Sequence, residues 1–314
     1  MFEKIRKKVG GRDALVISGL KEYSLKDTVE CGQAFAFEAA CESDGYTEYL
    51  VPIGDGVYLV GQSTRGELIF YGVSDEDFEK VLVPYFSLTT DFSVIADKVA
   101  RAYPKEWFLE AVKRAKGIAI LKQDAWETLF SFIVSQNNNI PRIKKILRKL
   151  RLEYGENLAE KNGFTACPLN KHGEKPSSTA CALCGACYSF PKADAVLRAP
   201  EKMLTANPGF RYRYLLDAAK RVAGGETRLD EIEGVHTYAH SLEELKKITG
   251  VGDKVASCVA LFGLGNLDAF PIDVWMKRAI DNYFDGELDP GVFGEYAGVA
   301  QQYIFHYARN IEEK

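Results

Sequence analysis

No stretch of this 314-residue chain approaches the roughly 20 consecutive apolar residues that span a bilayer, so no transmembrane helix is expected. The charged start, Met1-Phe2-Glu3-Lys4-Ile5-Arg6-Lys7-Lys8, has no apolar h-region after it, which argues against export. A cytosolic location is the expectation, nucleoid-associated if the source is bacterial. Excess positive charge is also missing, since the net charge is −4. Lys and Arg supply most non-specific affinity for phosphate, so binding to DNA would need a local site rather than a basic surface. Internal repeats, low-complexity tracts and heptads are absent, and a monomer is expected. Disulfides are not expected among seven cysteines in a cytosolic setting.

What is present is ordinary for a globular protein: 46% hydrophobic and 27% charged residues, in a chain long enough for two packed domains. The first hundred residues read mainly as strand. Ala14 to Ile17, Tyr46 to Ile53, Val57 to Val60 and Glu67 to Tyr71 are rich in β-branched and aromatic side chains. Gly54-Asp55-Gly56 between two of these runs is a hairpin signal and predicts an antiparallel sheet. From about Pro104 the apolar period lengthens to about 3.6, as in Trp126, Leu129, Phe130 and Ile133, then Ile143, Ile146, Leu147 and Leu150. The expected fold is α+β, with an N-terminal antiparallel sheet domain over 1–104 and a helical helix-hairpin-helix domain over 105–314. A Cys-rich insertion at about 162–189 interrupts the helical part.

Ser241-Leu242-Glu243-Glu244 has the spacing of a capping box, and Leu242, Leu245 and Ile248 give the helix after it an apolar face. Gly250-Val251-Gly252 can turn through positive φ, and Lys254, Val255, Cys258, Val259 and Leu261 open a second helix. This is a helix-hairpin-helix. Its free amides and the N-terminus of its second helix suit one DNA phosphate, which answers the acidic composition.

Lys254 falls in the first turn of that second helix, where the dipole and partial burial both disfavour an ammonium. A neutral amine is a nucleophile; the plainer alternative is a surface lysine that meets phosphate as a point charge. Asp273, within Phe270-Pro271-Ile272-Asp273-Val274-Trp275, has the position of an N-cap. Beside Lys254 its carboxylate could stabilise positive charge on a sugar and move protons during Schiff-base formation.

In these residues the chain resembles the 8-oxoguanine DNA glycosylase/AP lyase family of the helix-hairpin-helix superfamily. The resemblance runs in order through Cys31-Gly32-Gln33-Ala34-Phe35, Ser131 to Ile140 (SFIVSQNNNI), Gly209-Phe210-Arg211-Tyr212-Arg213-Tyr214, Gly250-Val251-Gly252-Asp253-Lys254-Val255-Ala256, Pro271-Ile272-Asp273-Val274 and Ala300-Gln301-Gln302-Tyr303-Ile304-Phe305. It implies that Lys254 displaces an oxidised purine from duplex DNA as a covalent imine, that β-elimination follows, and that Asp273 is the partner carboxylate.

The resemblance also implies a base pocket. The Gly32 carbonyl would accept from N7–H, a donor that 8-oxoguanine has and guanine lacks, whereas the plain reading of Gly32 is a turn glycine. Cys258 and Phe305 would sandwich the base and Gln301 would read its Watson–Crick edge; from the residues alone, Cys258 and Phe305 are core. Asn137 would fill the gap left by the flipped nucleotide, Phe210 would wedge into the duplex, and Arg142 and Arg211 would face the estranged base, favouring cytosine there. Two features depart from the family pattern: Phe210 replaces a frequent tyrosine, and Trp275 replaces a histidine of the animal members.

The cysteine-bearing insertion is a third departure. Cys167, Cys181, Cys184 and Cys187 could hold structural zinc, with His172 as a substitute ligand, or an iron-sulfur cluster, or no metal. No cofactor is expected for catalysis. Two other functions fit parts of the pattern. A non-catalytic helix-hairpin-helix DNA-binding protein would keep Gly250 and Gly252 without needing Lys254, and a monofunctional glycosylase for another damaged base usually lacks the hairpin lysine.

Overall fold

The computed structural model describes residues 2–43, 46–158, 185–233 and 237–312. Cys167, His172, Cys181 and Cys184 lie outside them. The first part is a six-stranded sheet in the order β1-β2-β6-β5-β4-β3, with every neighbour pair antiparallel. Its strands are β1 (Glu3–Val9), β2 (Arg12–Ser18), β3 (Glu38–Ser43), β4 (Tyr46–Ile53), β5 (Gly56–Gln62) and β6 (Leu68–Tyr71). The four strands expected from the sequence are β2, β4, β5 and β6, and the Gly54 turn joins β4 to β5 with Gly54 at φ 56°. The two edge strands, β1 and β3, carry no apolar alternation and were not anticipated. β1 is exposed along its length and studded with Lys and Arg, a composition that discourages edge pairing.

Alternate residues decide the sheet's inner face. Leu15, Ile17, Tyr49, Val51, Val60, Leu68 and Phe70 bury against Phe78 and Leu82 of the helical turns at 75–85, against Phe86 that caps them, and against Leu25 of α1 (Leu25–Glu30). Phe70 alone, fully buried and edge-on to Phe78 and Phe86, contributes about 2–3 kcal/mol, and Phe70→Ala would cost about 3–5 kcal/mol.

The helical body comprises α2 (Phe92–Ala102), α3 (Glu106–Arg114), α4 (Ala125–Ser135), α5 (Ile140–Tyr154), α6 (Tyr212–Ala223), α7 (Tyr238–Leu245), α8 (Asp253–Phe262), α9 (Val274–Tyr283) and α10 (Ala297–Glu312), with shorter helical turns between. Its core already includes Phe92, Ile95, Ala96 and Val99 of α2, so by packing α2 goes with the helices. The segment at 117–123 joins the two cores. Ile118, Ala119 and Ile120 bury among the helices, and Leu121 buries in the sheet core.

One local expectation is corrected. The helix before the hairpin starts at Tyr238, not at a Ser241 cap. Thr237 holds the N-cap place and accepts from the His240 amide, while Ser241 lies buried in the helix and donates to Asn266 Oδ1 at 3.0 Å. Both Thr237 and Ser241 suit a cap by residue type; burial decides for Thr237. Among the described residues no helix is long and apolar enough to cross a membrane.

Candidate active site at the helix-hairpin-helix

α8 follows its turn directly. Gly252 is its N-cap with no side-chain hydrogen bond, so Lys254 occupies the open first turn as expected. Gly250, at φ 83°, is demanded twice over: a Cβ there would also lie 2.3 Å from the Tyr214 ring. The hairpin is tied to the body by Gln136 Nε2, which donates to the Gly250 carbonyl at 3.0 Å, and by the Thr249 amide, which donates to Asp217 Oδ2 at 2.8 Å. Not all its amides are available to a phosphate, however. The Val251 N–H donates to the Ile248 carbonyl at 3.0 Å, which corrects the expectation that Val251 offers a free amide.

Lys254 Nζ donates to Ser135 Oγ at 3.1 Å and lies 4.9 Å from the centre of the Phe132 ring. Both partners come from the end of α4, which fixes where the amine points. One turn on, Cys258 is buried against Lys254; burial pushes its thiol up to about 11, Lys254 pulls the other way and Asp273 adds to the rise. Asp273 does cap α9, with Oδ1 accepting the Met276 amide at 2.9 Å. That bond aims the carboxylate into the same cleft as Lys254.

The cleft has a volume of about 1230 Å³, and its walls come from five places in the chain: the loop after α1, the end of α4 with the start of α5, the turn before α6, the starts of α8 and α9, and α10. It gathers Gly32, Lys254, Cys258, Asp273, Gln301 and Phe305, which were assembled from the sequence only through the resemblance. Gly32 sits at φ 91°, and a Cβ there would approach Phe305 to 3.7 Å, so the loop and the ring form one wall. Gln33 beside it is fully buried and makes no use of solvent. Its Nε2 donates to the Thr28 and Ala119 carbonyls, both at 2.8 Å, and its Oε1 accepts the Leu121 amide at 2.8 Å. Gln33 thereby fastens the Gly32 loop to the segment joining the two cores.

The Asn run has three separate jobs at the α4–α5 junction. Asn137 is exposed with φ 49°, Asn138 Nδ2 donates to the Val134 carbonyl at 3.1 Å, and Asn139 caps α5 by accepting the Arg142 amide. Phe210, in the turn that Arg211 ties to this junction, lines the cleft at 48% exposure, edge-on to Tyr214. Arg142 is exposed at the cleft. Arg211 departs from the expectation that it faces an estranged base. It is 4% exposed, and its guanidinium donates to the carbonyls of Gln136, Asn137 and Pro208. Burial, with Arg142 nearby, lowers its pKa. Trp275 is half-buried on the cleft wall with the Arg278 guanidinium 5.1 Å from its ring.

Of the cysteine cluster, only Cys187 is described. It is buried beside Leu50, Val57, Leu158 and Ala186, against the outer face of the sheet.

Among the cleft residues not singled out from the sequence, Ser135 and Gln302 bear most on its chemistry. Ser135 gave no signal beyond a family motif. Gln302 is 3% exposed, lines the cleft beside Gln301, and leaves its side-chain carbonyl without a hydrogen bond, as does Gln301.

Comparison with known proteins shows what the chain is similar to. The 8-oxoguanine DNA glycosylase N-terminal domain matches residues 16–129. An N-glycosylase/DNA lyase of Saccharomyces cerevisiae is 28% identical over 82% of this chain and 67% of its own. The solved structure of MBOgg1 with a low-affinity DNA ligand superposes with a TM-score of 0.80 at 32% identity, covering 99% of both chains. The Clostridium acetobutylicum 8-oxoguanine glycosylase/lyase, solved with double-stranded DNA containing cytosine opposite 8-oxoguanine, gives 0.79 at 30% identity over 99% of this chain and 98% of that one. With that degree of identity sustained from end to end, this chain belongs to the 8-oxoguanine DNA glycosylase/lyase family.

Proposed function

We infer that the chain is a bifunctional DNA glycosylase and AP lyase of base excision repair, which excises 8-oxoguanine from duplex DNA. The observation that carries the reading is the meeting, in one cleft, of an amine on an open helix N-terminus and a carboxylate on a helix cap, with Lys254 tethered to Ser135 and Asp273 to Met276. A helix-hairpin-helix that only bound DNA would need neither.

The sugar carbon is inaccessible in stacked DNA, so the damaged nucleotide is first extruded, at a cost of a few kcal/mol that pocket contacts must recover. Lys254 Nζ then attacks C1′. The C1′–N9 bond breaks, the base leaves with the electron pair and takes up a proton, and loss of a proton from nitrogen with opening of the sugar yields the imine. The imine acidifies the C2′ proton, and its removal expels the 3′ phosphate. The Asp273 carboxylate stabilises positive charge on the sugar and assists these proton transfers.

Cys258 and Phe305 bracket the base, Gln301 faces its Watson–Crick edge, and the Gly32 carbonyl accepts from N7–H. Asn137 and Phe210 fill and wedge the duplex, and Arg142 meets the estranged base. The Gly250 to Gly252 hairpin and the start of α8 hold one phosphate. Arg211 reaches the estranged base only by giving up its carbonyl bonds. In this reading 1–104 supplies the Gly32 loop and 105–314 the chemistry. A cytoplasmic, nucleoid-associated location suits such a repair enzyme in a bacterial host.

For the cysteine cluster we retain structural zinc as the proposal, with an iron-sulfur cluster as the alternative. What supports it is the four-thiolate spacing of Cys167, Cys181, Cys184 and Cys187, and metal analysis of purified protein would find about one zinc per chain.

Borohydride trapping on duplex DNA bearing one 8-oxoguanine tests the central reading. A covalent adduct with the wild type and none with Lys254→Gln is expected. Absence of both adduct and base release from the wild type would return Lys254 to a phosphate contact.

A further inference from the structure

We propose that Gln302 is a second base-reading residue, specific for the exocyclic amino group of a guanine-type lesion. The proposal rests on the 8-oxoguanine reading above and deepens it. Its basis is a pair of unmet needs: the side-chain carbonyls of Gln301 and Gln302 are both buried, both belong to residues lining the cleft, and neither accepts a hydrogen bond. A buried acceptor left unpaired is unfavourable, and two adjacent ones in a ligand cleft point to a ligand edge that supplies two donors.

The bases differ sharply in what they can supply. On the Watson–Crick edge, adenine, cytosine and thymine each present donors at one position: the amino group of adenine, the amino group of cytosine, and N3–H of thymine. Guanine and 8-oxoguanine present donors at two neighbouring positions, N1–H and the exocyclic N2 amino group. The two unmet acceptors therefore match a guanine-type edge. With Gln301 accepting from N1–H, Gln302 accepts from the amino group.

The placement is consistent with the cleft wall. Phe305 lies one turn beyond both glutamines on α10, and its ring edge packs beside Gly32 in the same wall of the cleft. Side chains on a helix lean toward its N-terminus, so residues 301 and 302 present their amides on the near side of that ring. Gly32 and the glutamine pair then divide the work: the former reads the damage at N7, the latter the identity of the parent base.

The discriminating probe is 8-oxohypoxanthine, which keeps N1–H, N7–H and both carbonyls of 8-oxoguanine and lacks only the amino group. Single-turnover excision of each base opposite cytosine is compared for the wild type, Gln302→Met and Gln302→Glu, with cleavage of a preformed abasic site measured in parallel as a check on the fold. The wild type should prefer 8-oxoguanine by about tenfold or more. Gln302→Met should collapse that preference to less than threefold, chiefly through slower 8-oxoguanine excision, and Gln302→Glu, which keeps an acceptor, should retain most of it. Equal removal of both bases by the wild type overturns the proposal with no variant needed, as does a preference that survives Gln302→Met. Should the wild type release neither base, the 8-oxoguanine reading itself fails, which is a different result from a lost preference.

Discussion

Lys254 Nζ points at Ser135 Oγ, 3.1 Å away, and the Ser135 hydroxyl in turn donates to the Phe132 carbonyl at 2.8 Å. The amine proposed as nucleophile is thus held by the last residue of another helix, 119 positions earlier. Ser135→Ala should free the lysine to sample other directions. We expect single-turnover release of 8-oxoguanine to slow about tenfold, the effect of one hydrogen bond to a charged or polar partner, with DNA affinity changed by less than about twofold. An unchanged rate would mean that Ser135 does not position Lys254.

Asp273 has a structural role at its cap and a proposed chemical one in the cleft, and the two are separable. Asn caps as well as Asp, so Asp273→Asn should leave the melting temperature almost unmoved while excision falls by about 10²-fold or more. Asp273→Ala should lose both activity and about 1 kcal/mol of stability. Full activity in Asp273→Asn would reduce the residue to a cap.

Arg211 and Arg142 should behave oppositely. Arg211 donates to two backbone carbonyls just after α4 and to that of Pro208 in its own turn, and Arg211→Ala strands them, costing about 2–4 kcal/mol in denaturant unfolding. Arg142 is exposed and should cost less than about 0.5 kcal/mol, yet Arg142→Ala should flatten the ranking of excision opposite the four bases. If the wild type cleaves equally fast opposite all four, the role given to Arg142 is wrong.

The Cys258 thiol, raised from an ordinary 9.0 to about 11 by burial, stays protonated at neutral pH. Iodoacetamide at pH 8 should therefore spare Cys258 while modifying the half-buried Cys41. The sign for stability follows from the raised folded value: the contribution is fully present below about pH 9 and is lost as pH climbs toward about 11, where only the unfolded chain has ionised. Cys258→Ala should be less stable by a constant margin below about pH 9, and that margin should narrow in this window.

Features set by short-range rules were legible in the sequence. The Gly250–Gly252 turn, the α8 start at Lys254 and the Asp273 cap all arise from neighbours within four residues, and the sheet's inner strands show alternation. β1 was hidden because an edge strand coated with lysine has no apolar face, and β3 because its register shifts between Ala39 and Cys41. The Ser241 cap misled because Thr237 satisfies the same local rule. Arg211 and Gln33 were unreadable for another reason: beside near partners, they bond to backbone 74–75 and 86–88 positions away, a separation that no spacing rule reaches. The base pocket could be assembled only through resemblance.

The Gly32 loop carries a consequence for how this enzyme can vary. The atom proposed to sense damage is a main-chain carbonyl, and every residue has one, so no substitution at position 32 can delete it. Variation can act only by moving it, either through a residue that resists φ 91° or through loss of the Gln33 anchor. The sensor is thereby exposed to genetic change at two places that carry no reading side chain of their own: position 32, where any Cβ resists φ 91°, and a neighbouring glutamine that the lesion does not touch.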